Sequence, residues 1–215
     1  MQTGESIQGI FPATAMPDAA WWQALWPHPE EVLADIGITH LMHVVDLCCG
    51  DGLFTVPLVK MAGRLVAIDL DPTMVQLARA RVGTKGMPNC TFIVGHAYDP
   101  AELVAEPVDL VLIANTFHGV PDKERLAHAV AAVSKPRGRL SVINWHRQPR
   151  DETVVLGQPR GPKTEMRMEP ADVAAAVEPA GFELTRIAEL PPYHHNAIFD
   201  RPTASTGHHH RKRKG

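Results

Sequence analysis

Between His40 and Leu58 the chain reads HLMHVVDLCCGDGLFTVPL, and the residues there that could do chemistry are Asp46, Cys48, Cys49, Gly50, Gly52 and Thr55. Glycines that follow an apolar run let backbone approach a ligand, so a nucleotide-binding turn is the first chemistry to test. The dinucleotide pattern G-x-G-x-x-G is met by Gly50 and Gly52 but fails at its third position, Thr55. A phosphate loop fails as well, because no Gly-Lys-Ser/Thr follows. A metal site lacks ligands: Cys48 and Cys49 are adjacent, point to opposite sides of a strand, and have no C-x-x-C spacing. Packing is the expected role of both, with Cys48 facing the ligand. Asp46 precedes the glycines and Asp69 ends the next apolar run. Asp69 stands where a carboxylate accepts both hydroxyls of a ribose, and Asp46 favours a cationic group over a phosphate. The pattern describes a positively charged nucleoside without phosphates.

Further residues fall where strands should end. His118 closes one apolar run, and Trp145, His146 and Arg147 close another. A neutral imidazole accepts a proton near pH 7, so His118 and His146 are candidate bases or substrate-orienting groups. Arg147 could meet an anionic substrate or be solvated. Tyr193, His194 and His195 are expected at an exposed hairpin tip. Trp21, Trp22 and Trp26 crowd one short helix, with Trp22 and Trp26 on a shared face. That helix docks on the domain and could also roof the pocket.

The elements that position these residues follow from periodicity. Asp18 can cap AAWWQALW, and PEEVLADIG is a helix with proline at its start and glycine after its end. From His43 onward, near-continuous apolar strands (HVVDLCC, RLVAIDLD, CTFIVGHAY, VDLVLIANTFHGV, RLSVINWHR) alternate with amphipathic helices. Such alternation implies a parallel sheet covered on both faces. After a proline- and charge-rich loop, 148–167, the helix EPADVAAAVEPAGF leads to ELTRIAEL and NAIFDRP, which must pair antiparallel across so short a connection. The expected fold is α/β: a Rossmann-like, doubly wound, mostly parallel seven-stranded sheet ending in an antiparallel hairpin. Residues 1–37 form an N-terminal arm and helices, a possible lid; 38–202 form the ligand-binding domain; 203–215 are a disordered basic, His-rich tail.

The 215 residues are 45% hydrophobic and 21% charged, as in globular proteins. Removing the four cations of the tail RKRK from the formal charge of −3 leaves −7 over residues 1–210, a poor match for nucleic acid. The tail could bind an anion, or be a solvated or added end. Three cysteines, no secretory leader and no long apolar run point to a cytoplasmic protein without a membrane span.

Four ordered stretches, VVDLCCGDG, LVAIDLDPTMVQLAR, VDLVLIANTFHGV and GRLSVINW, together resemble the class I S-adenosylmethionine-dependent methyltransferases, and the small quinone-biosynthesis C-methyltransferases among them. The resemblance covers roughly residues 38–200. The family motif acid-x-G-x-G-x-G appears as Asp46, Cys48, Gly50 and Gly52, with cysteine at the first glycine. The resemblance implies that these residues run along the methionine part of S-adenosylmethionine and that Asp69 holds its ribose. Leu70 and Met74 would flank the adenine. His96 and Ala97, in Gly95-His96-Ala97, stand where relatives carry Gly-Asp-Ala, while Asn115 and His118 match the family's Asn-x-x-His. Trp22, Trp26, Phe117, Trp145, Arg147 and Tyr193 are the expected substrate-pocket residues, and no metal is expected.

The implied reaction is methyl transfer to an O, S or C nucleophile of a small molecule, with S-adenosylhomocysteine as product, by a monomer or homodimer. Two alternatives stay open. One is a methyltransferase-fold partner or regulatory protein that binds cofactor without turnover. The other is a nicotinamide-dependent oxidoreductase, which Thr55 disfavours.

Overall fold

The computed structural model of the chain describes residues 9–83 and 88–203. The basic tail, and residues 1–8 of the arm, lie outside the described residues. Five strands are mutually parallel: β1 (His43–Leu47), β2 (Arg64–Asp69), β3 (Cys90–Val94), β4 (Val108–Ala114) and β5 (Ser134–Trp145). The 148–167 stretch holds a two-stranded ribbon, β6 (Val154–Val155) with β7 (Gln158–Pro159). Then β8 (Glu183–Leu190) and β9 (His194–Asp200) form the antiparallel hairpin. The main sheet has seven strands in the order β3-β2-β1-β4-β5-β9-β8. Strand order reverses between β1 and β4, and a sheet of this kind opens its ligand crevice beyond the carboxyl ends at that point.

Among the described residues seven α-helices flank the sheet: α1 (Ala19–Leu25), α2 (Pro29–Ala34), α3 (Thr55–Met61), α4 (Pro72–Val82), α5 (Pro100–Leu103), α6 (Lys123–Val133) and α7 (Pro170–Val177). Asp18, Asp71 and Asp122 cap α1, α4 and α6 by accepting from Ala20 N, Thr73 N and Arg125 N at 3.0, 2.7 and 2.9 Å. Strand alternation sends Val45 and Leu47 into one core with Leu126 and Val173, and Val44 into the other with Leu33 and Leu58. Each such buried side chain contributes about 1.5–3 kcal/mol. By the same alternation Asp46 faces α3.

Three expectations are corrected. β1 ends at Leu47 because Cys48 turns into the left-handed region (φ 64°). β5 ends at Trp145, so His146 and Arg147 lie past the strand. His194 and His195 are not an exposed tip: both are buried, because β9 runs between β5 and β8 with both faces covered. The His194 ring lies 4.0 Å from that of Trp145 and 4.5 Å from that of Trp26.

Helices α1 and α2 dock on the sheet. Trp22, Trp26, Leu33 and Ile36 share one core with Val44, Leu58 and Ile143. Arg139 adds a tie, donating to Ile36 O at 2.6 Å and to both oxygens of Asp200. Among the described residues no helix is long and apolar enough to cross a membrane.

Candidate active site

The turn after β1 is built around one carboxylate. Gly50 N donates to Asp69 Oδ2 at 2.8 Å, and Asp71 N donates to Asp69 Oδ1 at 2.9 Å. Asp69 at the end of β2 thus shapes the loop after β1 while its face toward the crevice stays open. The two glycines do different work. Gly50 (φ +55°) lines the crevice, and a Cβ there would approach Met16 Sδ to 3.2 Å. Gly52 (φ +85°) is outside the crevice, where a Cβ would lie 2.7 Å from Ala78 Cα; its bare backbone lets the turn sit on α4.

Asp46 is buried and accepts from Thr55 Oγ1 at 2.6 Å. Burial pushes its carboxyl up to about 7, the Thr55 hydroxyl opposes the shift, and the nearby Asp69 adds to it. Burial also raises Asp69, against the two backbone N–H bonds it accepts. Burial, with both acids close by, raises the Cys48 and Cys49 thiols far above the ordinary range, so neither is a thiolate nucleophile.

Beyond β4, Asn115 adopts φ 57° and both polar atoms of its amide are buried without a partner among the described residues. His118, on the 3₁₀ turn Phe117–Gly119, has Nε2 at 3.2 Å from Ala13 O. A carbonyl only accepts, so Nε2 carries the proton and Nδ1 keeps its lone pair; Nδ1 has no partner among the described residues. Burial holds the His118 pKa below its ordinary value. After β3, His96 Nδ1 accepts from Tyr98 N at 3.2 Å, and its ring stacks on Tyr98 and meets the edge of Phe11.

These groups face one cavity of about 470 Å³. Its floor includes Asp46, Cys48, Gly50, Asp69, Leu70, Met74, His96, Ala97, Asn115 and His118. Residues 9–17 with Trp21 and Trp22 roof it, and Trp145, Arg150, Arg160, Gly161 and Pro162 wall it. Of the expected pocket residues Trp22 and Trp145 reach it and four do not. Trp26 packs behind Trp22, and Phe117 is fully buried in the core. Arg147 is drawn away to Asp172 at 2.7 Å, and Tyr193 stacks on Trp145 and bonds Val154. His146 also lies outside, held between Glu169 and Glu189 at 2.9 Å each.

Sequence reasoning missed Thr55, noted only as a failed glycine, and Arg167. The Arg167 guanidinium is buried, donating to Pro162 O, Gln148 O, Thr153 Oγ1 and Arg160 O, with Cζ 4.9 Å from the Trp145 ring. It is the strut that folds the wall. No local signal separates it from the solvated arginines of the same loop.

The donor set defines a site for a cationic nucleoside: two carboxylates, a glycine turn and an unpartnered amide beyond a parallel sheet. Comparison with known proteins agrees. A family model described as a methyltransferase domain matches residues 44–138. The ubiquinone biosynthesis O-methyltransferase of Xanthomonas axonopodis pv. citri is 26% identical over 79% of this chain and 78% of its own. The tRNA 5-carboxymethoxyuridine methyltransferase of Escherichia coli is 26% identical over 74% of this chain and 66% of its own. The crystal structure of an S-adenosylmethionine-dependent methyltransferase from Aquifex aeolicus aligns with TM-score 0.70 and 25% identity, covering 85% of this chain and 93% of that one. These likenesses support a class I S-adenosylmethionine-dependent methyltransferase with S-adenosylmethionine as its cofactor. The residues present fit that group, since the orphaned Asn115 amide, the bare Gly50 and the paired acids ask for a cationic ligand with hydroxyls.

Proposed function

We propose that the chain transfers the methyl group to an O, S or C nucleophile of a small molecule. The observation that supports this reading is the cavity of about 470 Å³ beside Asn115 and His118, lined by residues 9–11 and 13–17, Trp21 and Trp22 on one side and by Arg150, Arg160, Gly161 and Pro162 on the other. The acidic body supports it too.

In this reading Asp69 accepts the ribose hydroxyls, with Leu70 and Met74 at the adenine faces and His96 and Ala97 at its edge. Asp46, Cys48, Gly50 and Asn115 run along the methionine portion, and Gly52 holds the turn in place. When bound, S-adenosylmethionine would supply a methyl carbon activated by its sulfonium, with S-adenosylhomocysteine as the leaving group. The protein's main contribution is alignment, worth up to about 7–11 kcal/mol. In this reading His118 is the group that takes the acceptor's proton where one must leave, as from a phenol or carbon acid. Residues 9–26 exclude water as a lid over the domain from residue 38. The three unbridged cysteines support a cytoplasmic setting.

The test is S-adenosylhomocysteine release on incubation with S-adenosylmethionine and, separately, phenols, thiols, quinol precursors and total tRNA. Turnover with a small acceptor and none with tRNA is expected, with His118→Asn slowing phenols by roughly 10²–10⁴-fold and thiols much less. Methylation of tRNA without any small acceptor would overturn the reading.

A further inference from the structure

Charge inside the cavity is segregated. The acids Asp46, Asp69 and Asp71 line the cofactor end, and the wall after β5 brings Arg150 and Arg160 to the same cavity, with Arg167 behind it. Among the described residues none of these three guanidiniums forms an ion pair, although Arg64, Arg81, Arg139, Arg147 and Arg186 all do. Arg150 is partly engaged, giving Nε to Gly161 O at 3.1 Å and Nη2 to Pro159 O at 3.2 Å.

Arg160 is not engaged. Its Cζ lies 5.5 Å from the centroid of the Trp21 ring, and its Nε is buried without a hydrogen-bond partner among the described residues. Trp21 in turn packs edge-on against Trp22, ring centroids 5.7 Å apart, and the indole Nε1 of Trp22 is also buried and unpartnered. Both groups donate only, both belong to cavity-lining residues, and a buried donor left unmade costs about 1–3 kcal/mol. The Nη groups of Arg160 make no hydrogen bond among the described residues, and an acceptor with negative charge in the cavity would match that guanidinium. The wall is held to this shape: Arg167 accepts no alternative position while it bonds Arg160 O and Thr153 Oγ1, and Gly161 rests directly on the Trp145 ring, leaving no room for a side chain.

Resting on the small-acceptor reading, we propose that Arg160, aided by Arg150, binds a carboxylate of the methyl acceptor, so that the substrates are small carboxylic acids carrying the nucleophile. A planar guanidinium matches a carboxylate through paired N–H bonds, and low local polarity strengthens the match. The cofactor carries a carboxylate of its own, so the experiment separates the two sources.

The experiment is calorimetric titration of the protein loaded with S-adenosylhomocysteine, using matched pairs: 3,4-dihydroxybenzoate against catechol, and mercaptoacetate against 2-mercaptoethanol. In the wild type the acid of at least one pair binds ten-fold or more tighter than its neutral partner. Arg160→Gln cuts that preference below three-fold while S-adenosylhomocysteine affinity stays within two-fold; Arg150→Gln falls between. Among the described residues no side-chain hydrogen bond of Arg160 supports the fold, and an unchanged melting temperature verifies this for the variant. Equal binding of acid and neutral partner in both pairs, or a preference that survives Arg160→Gln, overturns the carboxylate site and leaves the small-acceptor reading standing. A ten-fold loss of S-adenosylhomocysteine affinity in Arg160→Gln overturns it by assigning the guanidinium to the cofactor. Failure of every panel member to bind the loaded protein counts against both.

Discussion

Thr55 Oγ1 donates to Asp46 Oδ2 at 2.6 Å, so the residue that breaks the glycine pattern supports the buried carboxylate at the end of β1. Burial holds that carboxyl near 7 in the free protein, and a cationic ligand group beside it requires the ionised form. Below about pH 7, binding therefore releases a proton. Affinity for S-adenosylhomocysteine should rise with pH up to roughly neutrality and level off above. Asp46→Asn should abolish the slope, and Thr55→Val should move its midpoint upward by removing the opposing hydrogen bond. Calorimetry in buffers of different ionisation enthalpy reads the proton directly; a wild-type profile without slope would contradict the assignment.

The two glycines of the turn should separate by readout. Gly52→Ala forces a Cβ to 2.7 Å from the Ala78 backbone and should cost about 1–3 kcal/mol in urea unfolding. Gly50→Ala meets only the flexible Met16 side chain and should lose ligand affinity more than stability. Equal stability losses would show that the turn does not rest on α4 as described.

His146 joins the end of β5 to Glu169 and Glu189 at 2.9 Å each, and both bonds need the imidazolium as donor. Burial disfavours that charge, but the two carboxylates outweigh it and raise the pKa above 6.5. A folded pKa above the unfolded one gives stability that is complete below about 6.5 and lost as pH rises through the folded value. The melting-temperature gap between wild type and His146→Gln should therefore shrink from about pH 6 to about pH 9. A gap that widens with pH would reverse the sign.

Arg167→Met should loosen the wall. It strands the carbonyls of Gln148, Arg160 and Pro162, and a loss on the order of 2–4 kcal/mol is expected, with new proteolytic cleavage within residues 148–163. A variant as stable and protease-resistant as wild type would show that the guanidinium is no strut.

The cofactor end of the site is legible in the sequence for a topological reason. Asp46, Asp69, Gly95 and Asn115 each end or follow an apolar run, and parallel strands deliver all such ends to one edge. The acceptor end is not. His194 and His195 follow Pro191-Pro192 and read as surface, yet β9 is interior because β8, the strand before it, pairs outside it and covers its edge. His146 stands one residue beyond β5, where the chain has already turned from the cavity. Arg160 and Arg167 sit in a proline-rich, charged stretch that reads as solvated; its return over Trp145 buries Arg167 and brings Arg160 over Trp21.

Asp69 is the proposed anchor of S-adenosylmethionine. Calorimetric titration of wild type, Asp69→Asn and Asp69→Ala with S-adenosylmethionine and S-adenosylhomocysteine tests it most directly. Binding by the wild type that weakens at least ten-fold in Asp69→Ala, and less in Asp69→Asn, which keeps an acceptor oxygen for the turn, is the predicted result. Affinity within two-fold of wild type in folded Asp69→Ala would contradict it.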